Sequence, residues 1–319
     1  MKKVNSFIKS LKAYDLVVAV FFILLINLNL IFPDKIKYTY TWQAVNVAVI
    51  LLAFLISYLD NKQDLKLWKI IHYWYVAPLI FVTFKEIYFM IEPIRGQDYD
   101  WLFIRIDQWM FGANPTQVLQ KIAFPLLTEI LMIVYSLFYF LPIILALALF
   151  NRKKYLALDF AIFSIIYGFY LSYLGYFALP GVGPRFTLHD FRLINTQLPG
   201  LLLTNFLREC VNLGESISSS TVNPAAFVQR DVFPSGHTMI TLVVMYLSIR
   251  LKSRSRFFFI PVGSLLIFAT VYLQYHYVID LVGGMVFMIF SLWSGKYVFN
   301  WWRRKTGHEE FEYSKVKNE

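Results

Sequence analysis

The sequence predicts an all-α fold, a polytopic membrane bundle of about eight transmembrane helices, from three observations. Of its 319 residues, 58% are hydrophobic and only 16% are charged, whereas soluble domains carry about 25% charged residues. Eight apolar runs approach or reach the length that crosses the hydrocarbon core. Basic residues also concentrate in alternate connections between these runs, as they do in membrane proteins.

The eight runs are 16–33, 43–59, 72–91, 126–150, 158–179, 236–251, 257–274 and 278–299. The sixth is short and follows Pro234, so its first turn is expected in the membrane interface. Lysines precede the first run, as they would in a signal peptide. Because no small-residue cleavage site follows it, we interpret this run as a membrane anchor.

Charge distribution predicts the topology. Basic residues cluster in the N-terminus, 60–69, 151–157, 250–256 and the segment from 300. The positive-inside rule puts these segments and both termini in the cytoplasm, and puts 180–235 and 275–277 on the outer face. A net charge of +10 can also indicate a nucleic-acid partner, but the clustering of basic residues in alternate connections favours a membrane instead. We expect an integral protein of the plasma (inner) membrane.

We divide the chain into N-terminal helices with a linking segment (1–125), a catalytic membrane domain (126–302) and a cytoplasmic tail (303–319). The linking segment, from 92, predicts an interfacial helix or a plain amphipathic connector, ended by a turn at Gly112, Asn114 and Pro115. The long connection 180–235 suits a lid or substrate-binding element. The charged tail predicts disorder.

Pro-Ser-Gly-His-Thr at 234–238 stands where a loop becomes a helix. Free backbone N–H groups and the positive end of the helix dipole favour a phosphate-like anion there. Ser235 can cap the helix or bond an anion oxygen, Gly236 allows close backbone approach, and His237 points at the same place. An ordinary N-cap beside an interfacial histidine is the alternative.

His-Tyr-Val-Ile-Asp at 276–280 puts a histidine and an aspartate on one helical face. A carboxylate at Asp280 can hold one imidazole nitrogen of His276, which leaves the other as a nucleophile or base. Asp280 lies one turn into an apolar run, where an unused charge is costly. Because no third strong ligand accompanies the two histidines and the aspartate, no metal and no cofactor is expected.

Other polar groups could complete a site. Arg185, in Gly-Pro-Arg after the fifth run, has a planar fork that matches phosphate oxygens, although a solvated loop arginine is the simpler interpretation. Lys85 lies inside the third run, where charge favours a polar cavity or a structural pairing. With Tyr135 and Tyr139 it is a candidate for lining a substrate cavity.

An arginine, then Pro-Ser-Gly-His, then His-x-x-x-Asp resembles the type-2 phosphatidic acid phosphatase superfamily over about residues 160–300. The resemblance implies a phosphatidic acid phosphatase-like core in which His276 attacks phosphorus and Asp280 orients it. It implies that His237 protonates the leaving oxygen, and that Arg185, Ser235 and Gly236 hold the phosphoryl oxygens. It implies a lipid substrate and no metal.

Further segments resemble the inositol phosphorylceramide synthase branch: Ile-Asp-x-x-x-Phe-Gly-x-x-Pro at 106–115, Tyr-Ser-x-x-Tyr-Phe-Leu-Pro at 135–142 and Tyr-Leu-x-x-His-Tyr-x-x-Asp at 272–280. That likeness implies head-group transfer to a ceramide through a phospho-histidine. The superfamily's usual lysine and arginine are replaced in this chain by Ala178 and Thr270. Lys85 or Arg230 could supply the positive charge in their place. Hydrolysis of a phosphatidate- or polyprenyl-phosphate-type lipid, and lipid transport without chemistry, stay open.

Overall fold

A computed structural model describes residues 8–63 and 65–314, and over those residues the chain is helical with no strand. The helices that concern the argument are α1 (Ala13–Ile31), α2 (Thr39–Lys62), α3 (Lys66–Trp74), α4 (Val76–Arg95), α5 (Asp100–Phe111), α6 (Pro115–Gln120), α7 (Pro125–Ser136), α8 (Phe140–Asn151), α9 (Tyr155–Ala178), α10 (Pro184–Thr187), α11 (Ile194–Gln197), α12 (Thr204–Gly214), α13 (Gly236–Arg250), α14 (Arg256–Tyr272) and α15 (Val278–Thr306). The predicted all-α membrane fold is confirmed.

The predicted count of eight spans is not confirmed. Five helical segments of the described chain are long and apolar enough to cross a membrane: α1, α2, Lys66–Arg95, α9 and α15. Helices α7 and α8 form a further candidate, bent by 53°. Helices α13 and α14 cover the sixth and seventh runs but have only 15 and 17 residues.

Local sequence explains several helix boundaries. Proline occupies the first helical position of α6 and α7, where its missing N–H costs nothing. Gly112 ends α5 at a φ of 67°, a left-handed conformation that glycine adopts without a Cβ penalty. The predicted turn at Gly112–Pro115 is therefore confirmed.

The chain packs as two compact units, each discontinuous in sequence. The N-terminal unit comprises 1–94, 146–171 and 289–319, and the C-terminal unit comprises 95–145 and 172–288. Both histidine motifs lie in the C-terminal unit. The predicted division at 125 and 302 remains a prediction.

Polar groups link helices inside the N-terminal unit. Glu86 of α4 is fully buried, and its Oε1 accepts hydrogen bonds from Asn29 Nδ2 at 3.0 Å and Asn46 Nδ2 at 2.7 Å. His72 bridges two carboxylates, with Nε2 2.9 Å from Asp15 and Nδ1 2.8 Å from Asp60. These networks tie α1, α2, α3 and α4 together.

Glu86→Leu is expected to destabilise the N-terminal unit strongly. The substitution leaves two buried amide N–H groups without their acceptor, at a cost of about 1–3 kcal/mol each. Thermal unfolding in detergent measures the effect. Glu86→Gln keeps an acceptor oxygen and should lose less, and Glu92→Leu, at an exposed position of the same helix, should change little. Equal melting temperatures for Glu86→Leu and Glu92→Leu would contradict the assignment.

The charged tail differs from its predicted disorder. Helix α15 continues to Thr306, and the chain then returns so that Phe311 is buried. Asn300 brackets Phe311: its Oδ1 accepts from the Phe311 N–H at 2.8 Å and its Nδ2 donates to the Phe311 carbonyl at 3.2 Å. The Phe311 ring also stacks on Phe160 at 4.1 Å. The prediction of disorder is wrong for 303–314, and 315–319 lie outside the described residues.

The connection 180–235 is likewise more ordered than its turn-rich sequence indicates. It contains α10, α11 and the eleven-residue α12. The Glu129 side chain of α7 accepts from the four backbone N–H groups of residues 201–204, at 2.6–3.2 Å, and from the Thr204 hydroxyl. Those N–H groups lie at the start of α12, where a helix has no internal acceptors for them. A single carboxylate therefore fixes this connection to α7.

Candidate active site

The Pro-Ser-Gly-His segment forms the start of α13. Ser235 is its N-cap, and the Ser235 Oγ accepts from the Thr238 N–H at 3.2 Å. A Cβ at position 236 would collide with the Tyr176 hydroxyl, so glycine is required for this packing. Ser235 therefore caps the helix, one of the two roles predicted for it.

The orientation of His276 defines which nitrogen can react. Its Nδ1 lies 3.0 Å from the Val232 carbonyl oxygen, which can only accept, so Nδ1 carries the proton. Its Nε2 then presents a lone pair. Asp280 Oδ2 is 3.4 Å from the same Nδ1, so the nearest acceptor holding the tautomer is a backbone carbonyl rather than the predicted carboxylate.

Asp280 joins the two motifs. Its Oδ2 accepts from the Tyr277 N–H at 2.8 Å, and its carbonyl oxygen accepts from the Ser235 N–H at 3.0 Å. The side chain is fully buried, and its Oδ1 has no hydrogen-bond partner among the described residues. Asp280 thus fixes the turn that carries His276 against the cap of the helix that carries His237.

The two histidines meet. His276 Nε2 lies 3.4 Å from His237 Nδ1, and the ring centroids are 5.6 Å apart. The His237 ring stacks on Tyr135 at 4.7 Å and packs against Phe138 at 4.2 Å. A phosphoryl group between the two imidazoles would need a wider separation than this.

Arg185 is buried beside the pair, with 3% of its surface exposed. It donates to Asn212 Oδ1 at 3.1 Å and forms an ion pair with Glu215, while its Cζ lies 4.0 Å from the Tyr275 ring centroid. A guanidinium offers five donors. A phosphate can therefore bind the remaining N–H groups or displace Glu215.

A small cavity joins these groups. It offers about 10 Å³ to a water molecule, barely enough for one. Its lining residues are Tyr135, Val182, Arg185, Glu215, Asp231, Val232, His237, Tyr275 and His276. The structure thus brings together the predicted His237, His276, Arg185 and Tyr135, in a closed arrangement.

The remaining predicted groups lie elsewhere. Tyr139 is not among the residues that line this cavity; its ring contacts Phe138. Lys85 belongs to the N-terminal unit, where its Nζ is 6.0 Å from the Tyr88 ring centroid. Arg230 faces Asp98, with its Nε 3.4 Å from a carboxylate oxygen, and donates to the Val228 carbonyl.

Helix α5 contributes two carboxylates that support the segment before Arg185 and the His276 motif. Asp107 accepts from the Val278 and Ile279 N–H groups, at 2.8 and 2.9 Å, at the start of α15. Asp100 accepts from the Val182 and Gly183 N–H groups, at 3.0 and 2.8 Å, and from the Tyr277 hydroxyl at 2.8 Å. The linking segment therefore positions the arginine and histidine segments. Sequence reasoning missed this role, although Asp107 lies inside a quoted motif.

Asp107→Asn is expected to reduce kcat by about tenfold or more while KM changes little. An amide replaces one acceptor oxygen with a donor, which faces backbone N–H groups and loosens the turn carrying His276 and Asp280. Steady-state kinetics on the folded fraction measures this. Asp98→Asn makes the same exchange at a partly exposed ion pair and should leave kcat unchanged; equal losses in both variants would contradict the positioning role.

A second buried guanidinium lies near Arg185. Arg208 of α12 donates to Asn195 and to the Leu198 carbonyl, and it is 3% exposed. Burial lowers the pKa of Arg208; the nearby Tyr275 opposes this shift and the charge of Arg185 adds to it. At the first missing-cation position, Arg95 donates to the Ala178 carbonyl at 3.2 Å. Nothing in the sequence singled out Arg208.

Burial also predicts a pH dependence. Desolvation, aided by the charge of Arg185, lowers the pKa of His276 to about 3, so this predicted nucleophile stays neutral well below pH 6. Desolvation and the neighbouring His276 and Arg185 also lower the pKa of His237, which must be protonated to act as the predicted acid. We therefore expect kcat/KM to rise as pH falls from 8 to 5, measured with a phosphodiester donor whose phosphate does not titrate in that range. A decrease towards pH 5 would show that His276 is protonated there.

Together, the fold and the site define an all-helical integral membrane protein in which a buried and a half-buried histidine lie in contact beside a buried arginine. The family model of the PAP2 superfamily matches residues 101–294. Since this is more than half of the chain, the protein belongs to the PAP2 superfamily. No curated protein and no solved structure matches the chain. Members of the superfamily are typically phosphatases or phosphotransferases, which supports an enzyme of that general class acting on lipid phosphates.

Proposed function

We propose that this protein transfers a phosphate-bearing head group from a membrane lipid to a lipid alcohol, in the manner of inositol phosphorylceramide synthases. The observation that carries the proposal is the contact between His276 Nε2 and His237 Nδ1 beside Arg185. This pairing supplies a nucleophile, a proton donor and a cation at one point, without a metal or cofactor.

In the first step, the His276 Nε2 lone pair attacks phosphorus and the bond to the leaving lipid oxygen breaks. The His237 proton goes to that oxygen, and a phospho-histidine remains. In the second step, the acceptor hydroxyl attacks phosphorus, His237 recovers a proton from it, and the bond to His276 breaks. Arg185 holds the phosphoryl oxygens. The Ser235 N–H, which donates to the Asp280 carbonyl, and the Gly236 N–H would join it only by exchanging their present acceptors. The two histidines move apart to admit the phosphoryl group between them.

One observation favours an alcohol acceptor over water. Glu215 and Asp231 line the same cavity as the histidines, and carboxylates bind hydroxyl groups of an alcohol or polyol head group. By the positive-inside rule, the site faces the extracytoplasmic side of the plasma (inner) membrane.

Head-group-labelled glycerophospholipids, incubated with the purified protein in lipid nanodiscs, test the proposal. With ceramide or diacylglycerol added, a labelled lipid product should form that depends on the acceptor. A water-soluble labelled phosphate without any acceptor-dependent lipid would overturn transfer and favour a lipid phosphate phosphatase. Movement of label between leaflets without bond cleavage would favour a transporter.

A further inference from the structure

The N-terminal unit contains a larger cavity with its own chemistry. Its volume is about 420 Å³, within the range of small-molecule sites. It lies at helix ends: Lys12 is the N-cap of α1, Asp60 is near the end of α2, and Arg303 is in the last turn of α15. We call it the basic cavity, after the four cations Lys9, Lys12, Lys69 and Arg303 that line it.

The charges around the basic cavity favour an anion. Two carboxylates, Asp60 and Asp159, line it together with the four cations. Both already have partners, because His72 Nδ1 lies 2.8 Å from Asp60 and Lys12 Nζ lies 2.9 Å from Asp159. The lining therefore carries two positive charges in excess, the complement of a doubly charged phosphate.

Polar and aromatic groups fix the shape of this cavity. Trp302 donates its indole N–H to the Leu11 carbonyl at 2.7 Å, which holds the segment before α1 against α15. Lys12 Nζ lies 3.6 Å from the Tyr73 ring centroid, and Lys69 Nζ lies 4.2 Å from that of Tyr155. The ammonium groups are thus held in place by ring faces, so an entering anion meets organised cations.

Phosphate is the anion that these groups suit. Lysine and arginine both bind phosphate oxygens, and an arginine fork does so with two parallel bonds. Desolvation lowers the pKa of His308, a lining residue, and the charge of Arg303 lowers it further. The Nδ1 of His308 lies 2.9 Å from the Thr306 hydroxyl, which leaves Nε2 of the neutral imidazole for a ligand hydroxyl.

We propose that the basic cavity is a second binding site, for a phosphate monoester carried either by an anionic lipid head group or by a soluble metabolite. Most lining residues, at 9–13, 60–61, 69 and 299–308, fall in or beside connections that the charge pattern assigns to the cytoplasm. The ligand would then come from the cytoplasmic leaflet or the cytosol. This proposal does not depend on the proposed function of the histidine pair.

Residue-resolved lysine labelling tests the site in the full-length protein. The protein in phosphatidylcholine nanodiscs is treated with an amine-reactive reagent, and mass spectrometry compares Lys69 with Lys66, a matched lysine three residues away that does not line the cavity. Glycerol 3-phosphate, or phosphatidate added to the nanodiscs, should slow labelling of Lys69 about tenfold and leave Lys66 unchanged. Whichever arm protects identifies the source of the phosphate.

A charge-removal pair gives the second measurement. In Lys69→Gln/Arg303→Gln, affinity for the protecting ligand, measured from the protection of Lys9 and Lys12, should fall about a hundredfold, since each lost charged hydrogen bond is worth about tenfold. Lys66→Gln/Arg304→Gln removes the same charges from the same helices outside the cavity and should keep wild-type affinity. Equal protection of Lys66 and Lys69, no protection by either probe, or equal loss in both double variants would overturn the proposal.

Discussion

His276→Ala is expected to abolish phosphoryl transfer, with kcat/KM reduced by about 10⁴-fold or more. The Nε2 lone pair of His276 is the proposed nucleophile, and its Nδ1 is occupied by the Val232 carbonyl at 3.0 Å. Alanine supplies no nucleophile. The substitution enlarges the surrounding cavity enough for water, but it leaves no side chain there that can form a bond to phosphorus.

Rapid quenching with a phosphorus-labelled donor should detect an acid-labile phospho-enzyme in the wild type and none in His276→Ala. His189→Ala is the matched control: His189 lies in the same unit, hydrogen-bonds to Thr116 at 2.9 Å and does not line the active-site cavity. Labelled phospho-enzyme at wild-type level in His276→Ala would refute the assigned nucleophile.

His237→Asn is expected to slow cleavage of lipid donors by about 10²–10⁴-fold, the usual size of a general-acid contribution. The size of the loss should depend on the leaving group. A lipid alkoxide needs a proton as its bond to phosphorus breaks, whereas a nitrophenolate leaves without one.

Comparing a diacylglycerol-type donor with a nitrophenyl phosphodiester measures that dependence. The His237→Asn defect should shrink by at least about tenfold on the nitrophenyl substrate, while the His276→Ala defect should be the same on both. An equal His237→Asn defect on both substrates would mean that His237 positions the phosphate without protonating the leaving group. Asparagine also keeps a polar group against the Tyr135 ring, which limits repacking.

Much of the fold follows from the sequence because burial in a bilayer imposes long apolar runs. All eight runs are helical, and the Gly112 turn is where its composition indicates. The count of spans did not follow, since α13 and α14 are apolar but short and the α7–α8 pair is bent by 53°. The hydropathy of a segment indicates whether it lies in an apolar environment, but it does not show whether the helix is bent. The prediction of a disordered tail failed for a related reason. Composition shows the charges of the tail, but it does not show that Phe311 packs on Phe160.

The candidate site divides in the same way. Spacing and the cost of a polar group at the end of an apolar run point to His276 and Asp280. The choice of His237 and Arg185 rests in addition on the resemblance to the superfamily. Their supporting partners are distant in sequence: Asp100 and Asp107 come from α5, Glu215 follows α12, and Val232 supplies only a backbone oxygen.

The sequence by itself thus determined the membrane class, the superfamily motifs and the candidate site residues. The tertiary structure decided which acceptor holds His276, which carboxylates fix the motif segments, and that His237 and His276 lie in contact. The physical reason is the distance along the chain over which each interaction acts. Hydrophobic periodicity and helix capping act within a few residues along the chain. Hydrogen bonds between distant segments, such as that from Tyr277 to Asp100, 177 residues apart, depend on a packing that no local pattern encodes.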